Sequence, residues 1–194
     1  MFQVWFFTQV IVEREFRSPR ESQTSNPLLL NSGLVEAQKA ELRVILWFEQ
    51  GRPDSGFKQN LPQAGWVWTE SDSAAVEGLP YSLAGCRTIT FAEEPEIFAW
   101  YKDIEQEVRL VGGITYLDER IPEVIDISHY ALEQNIQPRQ FSLSEGTISV
   151  TGWQESLSSP VLAGEDRVNI QIISQAYEGK GRTALALPVL LEEF

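Results

Sequence analysis

The chain carries one histidine, His129, and one cysteine, Cys86, so imidazole or thiolate chemistry has one place each to go. His129 lies in Asp126-Ile127-Ser128-His129-Tyr130. Its ring suits general acid–base work near neutrality, and the upstream Asp126 is a carboxylate that could orient it. No G-x-S-x-G elbow supplies a nucleophile, and no oxyanion donor can be placed beside the ring. His129 therefore reads first as a surface or capping residue of a short helix. Cys86 stands next to Arg87, whose charge would favour a reactive thiolate. The competing expectation is a small buried side chain just before a strand, because free Cys is among the most buried residue types.

Acidic residues are plentiful: Glu93-Glu94, Asp103, Glu105, Glu107, Asp118-Glu119, Glu123 and Asp126. Two carboxyls at a fixed separation could act as an acid–base pair, but acids are seldom buried unpaired, so they are expected to form a solvated face. A single His and a single Cys exclude zinc sites built from those ligands. The chain has no Walker-type loop, no G-x-G-x-x-G after a strand and no EF-hand run. Gly179-Lys180-Gly181 looks phosphate-like, but no helix N-terminus follows it, so it reads as a hairpin turn. The sequence implies no metal and no cofactor.

Six tryptophans are the unusual feature, and Trp66 and Trp68 share one face if their segment is a strand. Aromatic packing in a core is one reading. The others are a Trp-lined pocket for a flat apolar ligand, an anchor patch for a protein partner and a base-stacking surface, the last opposed by the charge of −13.

These side chains need elements to hold them. Phe2–Phe16 reads as a long strand with both faces partly covered. Residues 17–31 read as a surface loop from their Ser, Pro and Asn content. Val44–Phe48 is a buried strand whose approach, 35–42, is ambiguous between helix and strand. Trp66–Trp68 is a short strand, Thr69–Cys86 mostly loop, and Arg87–Phe91 a strand. The clearest helix runs over about 95–110. Pro95 suits its first turn, Ile97, Tyr101, Ile104 and Val108 form its apolar face, and Gly112-Gly113 stops it. Ile114–Leu117 is a short strand, and a second short helix spans about 128–133 with Ser128 as its cap. From Gln140 the alternation predicts antiparallel strands: a hairpin around Ser144-Glu145-Gly146, then 168–172 and 183–191. Pro188 places that last strand at an edge or a bulge. The expected fold is β-rich α+β, a mainly antiparallel sheet or open barrel, as one domain over 1–194.

Fifteen Lys and Arg against 28 Asp and Glu leave a net charge of −13, which disfavours nucleic acid and anionic membrane surfaces and suits a basic protein partner. An apolar share of 43% and a charged share of 22% are ordinary for a globular chain, which argues against global disorder. One Cys, no basic n-region and no apolar run of spanning length lead us to expect a soluble cytoplasmic protein. The leading functional expectation is a non-catalytic protein-binding accessory, assembly or regulatory factor with Trp66 and Trp68 at its binding surface. The alternatives are a carrier of a small apolar ligand and an enzyme using His129 or paired carboxylates.

Overall fold

Leu42, Val44, Leu46 and Phe48 alternate with residues of the opposite face, and this period sets the first strand, β1 (Lys39–Phe48), in the computed structural model. The structure describes residues 26–53, 57–71, 79–177 and 180–191. The expected strand at Phe2–Phe16 lies outside the described residues, as do residues 17–25 of the expected loop. β1 is followed by β2 (Val67–Glu70), β3 (Tyr81–Thr90), α1 (Glu94–Leu110), β4 (Gly113–Ile121) and α2 (Ile127–Glu133). The remaining strands are β5 (Gln137–Ser144), β6 (Thr147–Trp153), β7 (Val161–Ala163), β8 (Asp166–Val168), β9 (Ile170–Tyr177) and β10 (Lys180–Leu187).

Eight strands form one open sheet in the order β2-β3-β1-β4-β10-β9-β6-β5, with every neighbouring pair antiparallel. β7 and β8 make a separate hairpin. The protein is α+β and β-rich, and the sheet does not close into a barrel.

The registers define one apolar face across the whole sheet. Phe141, Val150, Ile172, Leu185, Glu119 and Leu42 stand opposite one another in a single cross-strand row. A neighbouring row runs Leu187, Leu117, Val44, Gly85, Trp68. α1 covers this face with Ile97, Tyr101, Ile104 and Val108, all buried, as its spacing required. α2 adds Ile127, Tyr130 and Ala131.

Several expectations need correction. The ambiguous approach at 35–42 is strand from Lys39 onward. β3 starts at Tyr81, inside the stretch expected to be loop. Cys86 is exposed within β3 and is not a buried residue ahead of it. The cap of α2 is Asp126, whose Oδ1 accepts from the His129 backbone N at 3.0 Å; Ser128 lies inside the helix. Leu28, Leu29 and Leu30, inside the expected surface loop, are buried. β10 is interior, between β4 and β9, and Pro188 follows its last paired residue, Leu187. Pro188 therefore takes no bond from the ladder.

The β5–β6 hairpin forms where its turn chemistry placed it. Glu145 (φ 43°) and Gly146 (φ 79°) both adopt positive φ, as a tight two-residue turn between right-twisted strands requires. Gly85 serves a different purpose: a Cβ there would sit 2.5 Å from the Trp68 ring, so its bare backbone is the bed on which that indole lies.

Candidate functional site

The helical layer is shorter than the sheet. α2 has seven residues, and its Tyr130 side chain reaches toward Pro27, whose carbonyl accepts from the Tyr130 hydroxyl. Toward the other end of the sheet the described helices leave Phe141 and Leu143 of β5 exposed, while the β7–β8 hairpin reaches β5 through Gln140, whose Nε2 donates to the Ala163 carbonyl at 2.6 Å. The inner face emerges there as an apolar cleft of about 720 Å³. One wall is Val124 and Leu132; the floor and far wall are Phe141, Ile148, Val150 and Ala176. Leu132 is 77% exposed, Phe141 67% and Leu143 68%, although Phe141 and Leu143 continue the inner face of the sheet.

The floor's polar atoms are already spent on the protein. Thr183 Oγ1 donates to the Glu123 carbonyl (2.8 Å), which leaves Ser174 Oγ to donate to Thr183 Oγ1 at 2.9 Å. Val124 lies against Gly181, where a Cβ would come within 2.0 Å of it. The cleft thus offers apolar contact, with no free donor from Ser174 or Thr183.

The cleft opens beside the edge strand of the sheet. β5 ends the sheet order, all eight of its residues are exposed, and no described strand pairs on its outer side. Edge strands are usually blunted by lysines, prolines or bulges. β5 has Pro138 and a register shift between Pro138 and Gln140, but from Gln140 to Ser144 it is regular and uncharged.

A second unusual site lies in the core. Glu94 and Glu119, expected on a solvated face, are both 0% exposed. Asp118 and Glu105 are also buried, each with a partner: Asp118 Oδ1 accepts from Arg120 Nε at 2.8 Å, and Glu105 Oε2 from Ser158 Oγ at 2.7 Å. Glu94 and Glu119 instead meet each other and the 26–31 backbone. Burial first, and then the Glu94 charge, push the Glu119 carboxyl well above the ordinary carboxylate range. Burial likewise raises the Tyr130 phenol, with Glu119 and Glu94 adding to it.

The tryptophans expected at a binding surface pack together. Trp66 stacks on Trp68 (5.3 Å between centroids, 18° between planes), and Trp100 of α1 closes on Trp66 at 5.1 Å. Trp68 Nε1 donates to the Pro62 carbonyl at 2.8 Å. Trp66 is buried, and neither Trp66 nor Trp68 lines the apolar cleft.

His129 and Asp126 meet only through the helix cap. The His129 ring is half-exposed, with Nε2 3.7 Å from Glu133 Oε1, and no described hydroxyl bonds to it. Cys86 lies on the outer face of the sheet, directly opposite Arg43 and Val67. Among the described residues no three His, Cys, Asp or Glu side chains converge as a metal ion would need, and no helix is long and apolar enough to cross a membrane.

The sequence does not point to the cleft, and among its many acids it does not single out Glu94 with Glu119. Each left a trace: Phe141, Leu143, Ile148 and Val150 alternate cleanly, and Glu119 falls in the apolar phase of β4 between Leu117 and Ile121. No protein-family model and no curated protein matches this chain.

Proposed function

We propose that this protein is a non-catalytic binding factor that takes an extended, apolar segment of a partner protein as an added strand along β5, with the partner's side chains in the α2–β6 cleft. The observation that carries this reading is the coincidence of two unsatisfied features in one place. The inner face of the sheet runs out with Phe141 and Leu143 exposed, and no described strand pairs with β5 beyond it, the one described neighbour there being the β7–β8 hairpin at Gln140. A strand supplies what both lack: main-chain groups for the edge, and alternate side chains for the apolar floor. The net charge of −13 favours a segment with basic flanks. Trp66 and Trp68 are packed against each other and α1, so we assign them to the core of the opposite end.

Panning a random-peptide phage library on the whole protein tests this. The expected winners have β-branched or aromatic residues at alternate positions with basic flanks, and their synthetic peptides bind more weakly as salt rises. Winners with no such alternation, or none above background, would remove the reading.

A small apolar ligand is the second reading, favoured by the cleft's volume, which falls inside the range of about 300–1,000 Å³ usual for such sites. A ligand of this kind leaves the β5 backbone unpaired, so amide exchange along β5 separates the two.

A further inference from the structure

Glu94, the first residue of α1, and Glu119, in the middle of β4, lie beneath a chain segment that folds down onto both. Glu94 accepts from Leu30 N at 2.7 Å, Asn31 N at 3.0 Å, Asn31 Nδ2 at 2.7 Å and Asn26 Nδ2 at 3.0 Å. Glu119 Oε2 accepts from Leu29 N at 2.5 Å. Its other oxygen, Oε1, is buried with no N–H or hydroxyl partner, and successive amides of the one segment, Leu29 N and Leu30 N, bring the two buried carboxyls together. Two carboxyl groups can bond only if one of them carries a proton, and that proton also accounts for the orphaned oxygen.

Among the described residues nothing else neutralises the pair. α2 contributes Tyr130, whose hydroxyl is turned to the Pro27 carbonyl. β1 and β10 present Leu42 and Leu185 directly opposite Glu119. On α1's side the neighbouring Glu93 is occupied with Arg87 and Thr90. From the segment come only N–H groups and the Asn26 and Asn31 amides. Among the described residues no Lys, Arg or His pairs with either Glu94 or Glu119.

We propose that Glu94 and Glu119 share one proton that latches residues 26–31 onto α1 and β4, and that losing it releases the segment. With the proton in place, one carboxyl donates to the other and both accept from the segment. Without it, two buried carboxylates face each other with only N–H dipoles between them. Release would uncover Leu28, Leu29 and Leu30, now buried, and free Tyr130 from Pro27. The device couples the docking of residues 26–31 to proton concentration.

The linkage has a definite sign. Glu119's carboxyl is raised in the latched state. The latch is therefore at full strength below the ordinary carboxylate range and weakens as pH rises toward the raised value. Within that window opening releases one proton, so the opening constant climbs about tenfold per pH unit and levels off above it.

Amide hydrogen exchange at Leu29, Leu30 and Asn31, corrected for the intrinsic pH dependence, reads this opening in the full chain. The wild type is expected to show the tenfold-per-unit rise. In Glu119→Gln the carboxamide donates to Glu94 and still accepts from Leu29, so the opening is expected to lose its pH dependence. An equal slope in both proteins, or opening that falls as pH rises, overturns the latch. Should Glu119→Gln not fold, carbon-13 titration of the wild-type carboxyls decides. A Glu119 signal titrating above the ordinary range supports the latch, and one titrating within it overturns the latch.

Discussion

Replacing Glu94 by alanine is expected to destabilise the protein by roughly 3 kcal/mol or more, because buried donors then lose a charged acceptor worth about 1.5–3 kcal/mol each. The donors are Leu30 N and Asn31 N on the backbone, joined by the Asn26 and Asn31 side-chain amides. Leu30 is almost fully buried, so water cannot replace the lost bond without the segment lifting. If the two carboxyls share a proton as proposed, that bond is lost at the same time. Relief of carboxyl–carboxyl repulsion offsets little of this while that proton remains. Glu94→Gln keeps one acceptor oxygen and should fall between wild type and Glu94→Ala. Urea denaturation at neutral pH measures the series. A Glu94→Ala midpoint equal to wild type would mean that the 26–31 backbone does not depend on this carboxylate.

Phe141→Asp is expected to leave the fold intact and abolish binding. Phe141 is two-thirds exposed on an edge strand, so its replacement should change stability by no more than about 0.5 kcal/mol. In the complex the same side chain would be at the centre of the buried patch, between Val150 of β6 and the incoming strand. A carboxylate there would be desolvated with no cation to meet it. Loss of a central aromatic anchor is worth about 2 kcal/mol or more, which is about thirtyfold in affinity before the buried charge adds its penalty. Val67→Asp is the matched control. Val67 is equally exposed but sits on β2 at the opposite edge of the sheet, away from the cleft, and its replacement should leave affinity unchanged. Titration calorimetry with a selected peptide measures both. Equal affinities for wild type and Phe141→Asp would place the peptide somewhere else.

Much of the fold was legible because several local signals agreed. Over α1 the apolar spacing, Pro95 at the start and the glycines at the end all point the same way, and the helix runs Glu94–Leu110. The hairpin at Glu145-Gly146 was legible for the same reason. Failures came where one local signal outweighed a tertiary one. The Ser, Pro and Asn content before residue 28 masked three consecutive leucines that the core takes up. Pro188 suggested an edge, but it falls one residue past the ladder, so β10 can be central. Ser128 and Asp126 are both good caps. Burial of Ile127 as the first helical residue gives the role to Asp126.

The candidate sites were hidden for a different reason: each depends on which elements meet. Glu94 and Glu119 belong to a helix start and a mid-strand position that only the α1–β4 connection brings together. The alternation of Phe141 and Leu143 marks an inner face, but that the helical layer stops at α2 is a fact of three dimensions. The tryptophan pair was visible in the sequence, whereas Trp100, which completes the cluster from α1, was not.

The central claim is that β5 accepts a polypeptide strand, and amide hydrogen exchange along Gln137–Ser144 tests it most directly, with and without a saturating peptide selected on the wild-type protein. The account predicts slowed exchange at the β5 amides that β6 leaves unpaired, together with slowed exchange at Leu132 on the cleft wall. Protection confined to the Trp66–Trp68–Trp100 end, or a bound peptide that leaves every β5 amide exchanging as before, would contradict it.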